Sequence, residues 1–311
     1  MFDTYIGVDF SAASSPVTGR NSLWIAARDR AGAVHTVNPP TRHDAADRLV
    51  DLVQTAAGRR RVLVGLDFAF GFPTGFLGRL LGGAATWRDL WGHLVDHLGD
   101  APHNANTRFA LAADLNRTVS GRAFPFWGCP PGWGSATLGP RRPAGFDTPE
   151  GLPALRLTDR PGPGGLRPQA VWKLAYAGAV GGQTLVGLAW LERLRRRLAP
   201  DADVRVWPFE TGLHPPVWAA EDAGARPRVV LAEVYPRLFA ARVDRADPVP
   251  DRAQAQAVAA ALAEADADGR LASWFAGPAA CADDDRHRIE AEEAWMLGRT
   301  DLPAPASGAR S

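Results

Sequence analysis

The chain is almost without lysine: Lys173 is the sole lysine among 35 cationic residues. Arginine supplies the rest, a bias we read as codon usage in a GC-rich genome rather than as guanidinium recognition. Cysteine is scarce as well. Cys129 and Cys281 are too few for a disulfide framework and fit a reducing, cytoplasmic setting. Charge of one sign is lacking, since 35 cationic and 34 acidic side chains leave a net charge of +1. No basic excess therefore advertises nucleic acid. The opening MFDTYIGVDF has no basic segment followed by an apolar one, so a secretory leader is not expected. A clean hydrophobic run is missing too. Leu174 to Leu191 is uncharged, but four glycines, Gln183 and Thr184 interrupt it. That composition predicts a buried helix and no membrane partner.

What remains is ordinary for a globular chain: 46% hydrophobic and 22% charged residues in 311. This length can bury a sizeable core. Tyr5 to Phe10 reads as a buried strand. Leu23–Ala27 and Val34–Val37 flank the turn Asp29-Arg30-Ala31-Gly32, a hairpin signal. Thr41 with Asp44 resembles a capping box, and Ala46, Leu49, Val50 and Val53 follow on one helical face. Arg61 to Phe68 is apolar enough for a strand covered on both faces.

Residues 73–167 differ. They are rich in Pro, Gly and Trp and carry two helix signals, Trp87–Leu98 and Arg108–Val119. So long an irregular stretch predicts a functional insertion or cap within a single domain of residues 1–300. A helix is expected from Pro168 to Pro200, strands at Val204–Phe209 and Val229–Tyr235, and helices at Gln254–Ala265 and Asp284–Leu297. Residues 301–311 are expected to form a disordered tail.

Acids inside apolar strands carry the chemical signal. The strand IGVDF ends near Asp9, VGLDF ends near Asp67, and Glu233 lies within VVLAEVYP. A carboxylate there is costly unless it is paired or binds metal. Adjacent parallel strands run about 4.8 Å apart, which would set Asp9 and Asp67 side by side. Oxygen-only ligands favour Mg²⁺ or Mn²⁺. Two such ions about 3.5–4 Å apart are a device for phosphodiester hydrolysis.

In order, GVDFSAA, LDFAFGFP, DLNRTVSGRAFPFWGCP, VWKLAYAGAVGGQTLVGLAWLERLR, VRVWPF and LAEVYPRLF resemble the predicted RNase H-like nuclease family, domain of unknown function 429. The resemblance covers most of the chain, to about Phe239. It implies an α/β fold with a mixed sheet in the order 3-2-1-4-5, flanked by helices. It also implies a metal-binding acidic cluster of Asp9, Asp67, Glu233 and a fourth acid from the last helix. The family pattern there is DAxDA-like, whereas this chain has CADDDRHRIEAEEAW. Asp285 or Asp284 fills the first position, and Arg288 stands in the second. Asn116, Arg117 and Trp127 are the expected substrate contacts, from family match and from stacking of bases on aromatic rings.

Other motifs have plainer explanations. His93 and His97 are spaced for zinc but flank an apolar helix face and lack a third ligand. Cys129, followed by Pro130 and Pro131, reads as a packed thiol. Gly178 to Gly182 is no nucleotide loop and reads as close helix packing. Arg59, Arg60 and Arg61 precede the Asp67 strand, so they belong at the far end of the sheet. The leading expectation is a metal-dependent phosphoesterase, a nuclease with nucleic acid as partner. An actin-like ATPase is the alternative, although a second phosphate loop is lacking. A non-catalytic binding protein that kept the fold is the third.

Overall fold

A computed structural model describes residues 1–55, 61–162, 165–218 and 226–302. Strands β1 (Thr4–Asp9), β2 (Trp24–Asp29) and β3 (Val34–Val37) form an antiparallel meander. Helix α1 (Arg42–Gln54) then leads to β4 (Arg61–Leu66), which lies parallel to β1. Thr41 caps α1 by accepting from the Asp44 N–H at 3.1 Å. The insertion carries α2 (Phe76–Leu81), α3 (Trp87–His97) and α4 (Arg108–Ser120). The chain continues through α5 (Gly181–Leu198), β5 (Asp203–Trp207) and β6 (Arg228–Glu233). Helices α6 (Pro250–Ala267), α7 (Leu271–Phe275) and α8 (Asp283–Arg288) complete it.

The strands make one mixed sheet in the order β3-β2-β1-β4-β6-β5. The implied order 3-2-1-4-5 is met through β4. The next place is then taken by β6, and β5 lies outside it as the edge. Both pairs are parallel, and β5 and β6 meet through the register Asp203↔Arg228 to Trp207↔Ala232.

Alternation along the strands sorts the side chains onto two faces. Ile6, Val8, Phe10, Val64, Leu66, Val229 and Leu231 pack with α1, α5 and the insertion. Tyr5, Leu63, Val230, Ala232 and Val234 face α6 and α7. The first of these cores runs without a break into Phe76, Trp91, Leu115 and Phe126 of the insertion.

Three helix expectations need correction. The helix foreseen from Pro168 begins only at Gly181. Trp172–Leu174 instead bond to Trp127, whose N–H donates to Trp172 O and whose carbonyl accepts from Leu174 N–H. Tertiary backbone pairing overrides the helical pattern there. The helix foreseen to Leu297 leaves α-geometry at Ile289, passes through one wide turn to Glu293 and ends at Ala294, φ +59°. Helix α2 lacked a sequence signal because its cap is remote: the Glu292 carboxylate accepts from the Gly75 and Leu77 N–H groups. Arg59, Arg60 and the tail from 303 lie outside the described residues. No helix among the described residues is long and apolar enough to cross a membrane.

Helix α6 lies directly on β1 and β2 and reaches β4 through Val258 and Leu262, because Gly7 and Gly65, partners in register, leave room for it. A Cβ on Gly7 would stand 2.2 Å from the Ala255 carbonyl and 2.9 Å from the Val258 Cβ. Neither a backbone carbonyl nor a Cβ can rotate away. Gly7→Ala is therefore expected to destabilise by about 3 kcal/mol, the upper end of overpacking costs. Denaturant unfolding measures this, and a loss below about 1 kcal/mol contradicts the close approach.

Candidate functional site

Asp9 is the last residue of β1, and Asp67 follows the last residue of β4. The register Val8↔Leu66, extended one step, sets them next to each other. Both fall on the Gly7 and Gly65 side of the sheet, facing α6. The link is tight: Asp67 N–H donates to Val8 O at 3.3 Å, and Phe10 N–H donates to Asp67 Oδ1 at 2.7 Å. Asp9 is buried and Asp67 half-buried. Among the described residues neither has an ion-pair partner. Burial, then the charge of Asp67, then that of Asp251 hold the Asp9 carboxyl well above its usual pKa. Burial pushes Asp67 to about 7, against the two backbone N–H groups that favour its ionised form, and Asp251 adds to the rise.

Asp251 was missed at the sequence level. It sits in the first turn of α6, the helix that Gly7 and Gly65 admit to the sheet. An acid in a first turn has a bland explanation in the helix dipole, and only the packing of α6 brings it toward the pair.

Glu233 does not join them. Its register partner is Leu66, so alternation points it to the opposite face, with Val229 and Leu231. There Arg156 holds it with two bonds of 2.7 Å, and Phe70 N–H donates to it at 2.8 Å. Arg156 also grips Asp159, through Nε at 2.8 Å and Nη2 at 2.9 Å. All three side chains are almost fully buried. Burial raises the Glu233 pKa and Arg156 opposes it, while the two acids hold the guanidinium in its charged form. The expected fourth acid is elsewhere too. Asp285 lies 3.4 Å from Arg288, whose guanidinium continues to Glu293 at 2.8 Å and Thr74 Oγ1 at 3.1 Å. Asp284 is exposed. Among the described residues no three His, Cys, Asp or Glu side chains form a group able to hold a metal ion. The expected four-acid cluster is thus replaced by one carboxylate pair.

The insertion meets the carboxyl ends of the strands. Arg108 Nη1 donates to Ala12 O at 3.0 Å and Asn104 Nδ2 to Ser15 O at 3.2 Å, just beyond β1. Arg156 meets β6 at Glu233. Of the expected substrate contacts, Asn116 is fully buried and spent on the fold. It bonds Phe126 O at 2.9 Å, Thr137 O at 2.7 Å and Phe126 N–H at 2.8 Å. Arg117 is exposed and paired with Asp114. Trp127 is half-buried, with the Lys173 ammonium 5.6 Å from its ring centre.

The remaining motifs behave as structure. His93 and His97 stack at 4.0 Å, and His97 Nδ1 lies 2.8 Å from His93 O. Cys129 is buried, its Sγ 3.8 Å from Leu138 O. No family model matches the chain, and neither a curated protein nor a solved structure matches it.

Two expectations separate the acids. Asp9 and Asp67 have pKa values raised on folding, so the folded state binds more protons than the unfolded chain. Stability contributed by protonated Asp67 is fully present below about pH 4 and is lost as pH rises to about 7, and protonated Asp9 contributes in the same direction. Without divalent cations, the melting temperature should fall across this window. Asp9→Asn should flatten that fall, and melting curves at stepped pH in a chelator read it. By contrast, Arg156→Met strands two buried carboxylates. It should cost roughly 3–5 kcal/mol, the usual loss when one partner of a buried pair is removed. Chemical denaturation of that variant within 1 kcal/mol of wild type would contradict the network.

Proposed function

We propose that the chain is a divalent-metal-dependent phosphoesterase with an RNase H-like core, hydrolysing nucleic-acid phosphodiesters at Asp9 and Asp67. The observation that carries the reading is the carboxylate pair itself. Two acids without a counter-cation stand at the carboxyl ends of adjacent parallel strands, where open α/β sheets bind ligands. The hairpin β2-β3 beside β1, followed by parallel β4, supports the RNase H-like core. The insertion packed at the same strand ends supports a role in holding substrate.

Two carboxylates suit Mg²⁺ or Mn²⁺ in a particular way. Mg²⁺ is commonly held by one or two carboxylates, with water and substrate phosphate filling the remaining places. The donor set fits one such ion, and not the two-ion arrangement of a four-acid cluster. When bound, the ion supplies Lewis-acid polarisation of a phosphoryl oxygen. The protein's own part is orientation. Phe10 N–H fixes Asp67, and the backbone bond from Asp67 to Val8 fixes the spacing of the two strand ends. The tie between Arg156 and Glu233 holds the β6 end against the insertion, away from the chemistry.

That same tie favours a second reading, a binding protein that kept the fold without catalysis. Melting with Mn²⁺ and cleavage of labelled DNA and RNA separate the two. For the phosphoesterase, saturating Mn²⁺ stabilises by about 2.7 kcal/mol at a hundredfold excess over the dissociation constant. Cleavage follows the same ion. Asp9→Asn and Asp67→Asn remove both effects while folding normally, and Glu233→Gln keeps the thermal response to metal. Absence of both the metal response and cleavage leaves the binding protein.

A further inference from the structure

Arg108 is a half-buried cation that meets no anion among the described residues. It opens α4, and its Nη1 donates to Ala12 O, Ser14 Oγ and Asn106 Oδ1 at 3.0, 3.0 and 2.8 Å, all neutral acceptors. Among the described residues no carboxylate lies within ion-pair distance of it. Its charged neighbour is Arg42, a second cation, and burial with that repulsion holds the guanidinium below its ordinary pKa. Arg42 cannot share its own counter-ion, because Asp100 already serves both Arg42 and Arg193. A desolvated guanidinium is costly when uncompensated, so an anion that meets it is bound with little competition from water.

The surroundings give that anion a shape. Lys173 also lacks a carboxylate partner among the described residues, its Nζ donating to Ala177 O at 2.6 Å. The backbone joins the two cations. Gly181 N–H donates to Lys173 O, and a Cβ on the next residue, Gly182, would touch both Leu174 O and the Arg108 side chain. On its other side Arg108 lies 4.7 Å from the Phe109 ring, which packs at 5.3 Å against Trp133. Trp133 is a large apolar ring left 47% exposed. Aromatic faces beside unpaired cations are the elements of a platform for single-stranded nucleic acid. The Ser11–Ser15 turn that Arg108 grips begins two residues after Asp9.

We propose that Arg108 and the Ser11–Ser15 turn, which follows the β1 end bearing Asp9, form a phosphate subsite, and that Trp133 stacks a base of the same single strand. The assignment of that strand as substrate rests on the phosphoesterase reading; the binding itself does not. It is tested by fluorescence anisotropy with labelled oligothymidylate in a chelator, where hydrolysis cannot contribute. Wild type binds, and log affinity falls with log salt. Arg108→Gln weakens binding at least about tenfold and lowers the salt slope by about 0.7, one single-strand phosphate contact. Arg108→Lys keeps the slope. Trp133→Ala, on the surface, weakens binding about tenfold with the slope unchanged. The corresponding duplex binds more weakly.

Failure of wild type to bind overturns the proposal. So does indifference to both Trp133→Ala and Arg108→Gln, or a duplex preferred over the single strand. Should Arg108→Gln not fold, Arg108→Lys and Trp133→Ala still decide. Arg108-dependent binding without metal-dependent cleavage sinks the phosphoesterase reading alone. Cleavage indifferent to these variants sinks the subsite alone.

Discussion

The close approach of α6 to the sheet at Gly7 and Gly65 is the constraint on which the candidate site depends. Bulkier residues at these two positions would lift the helix by the thickness of a side chain. The Ala255 carbonyl and Val258 Cβ occupy the space a side chain at Gly7 would need, and the Val234, Val258 and Leu262 side chains that at Gly65. With the helix seated, the strand positions two residues further on, Asp9 and Asp67, face it and lose most of their water. Their raised pKa values follow from that burial first; the charge of Asp67 adds to the rise at Asp9, and that of Asp251 adds to both. The same seating carries Asp251 toward them. A backbone contact thus sets the electrostatics, and Gly7 and Gly65 matter to the site without touching it.

Sheet parity then divides the acids. Asp9 and Asp67 share a face because their strands are parallel and in register. Glu233 is paired with Leu66 and must point the other way. The sequence shows three acids in apolar strands and cannot tell these cases apart, since register is decided by pairing. The consequence is two different solutions to buried charge. On the insertion side, Arg156 neutralises Glu233 and Asp159 within a closed network. On the α6 side none of the described residues does, so the pair carries the cost as a raised proton affinity. An uncompensated buried pair is a functional candidate, whereas a compensated one is a structural clasp.

Much of the core was legible from pattern. The strands from Tyr5 and Arg61, the hairpin at Asp29–Gly32, the Thr41 cap and helices α3, α4 and α6 announce themselves by period and turn chemistry. What escaped was tertiary. Helix α2 is capped by Glu292 from the far end of the chain. Trp172–Leu174 abandon a helical pattern for backbone bonds to Trp127. Asn116 carries the polarity of a substrate contact, yet all its bonds go to Phe126 and Thr137. Arg108, one arginine among many, showed no sign of its missing counter-ion until its neighbours were in place.

Charge balance illustrates the same limit. A net charge of +1 suggests a surface indifferent to nucleic acid. Yet a sum is blind to which charges are already matched. Where Arg42, Arg156 and Arg288 meet carboxylates, both charges drop out of the field seen by a ligand. Around the Ser11–Ser15 turn the cancellation fails in both directions. Among the described residues, Asp9 and Asp67 have no ion-pair partner at the strand ends, and Arg108 has none where it meets the turn. A phosphodiester with a bound divalent cation presents the complementary arrangement: cation toward the acids, phosphate toward the guanidinium. Buried charges of either sign that find no counter-charge within the fold carry their desolvation cost until a ligand of the opposite sign meets them. This local separation, which the total charge conceals, is the physical argument for a ligand at the carboxyl end of the sheet.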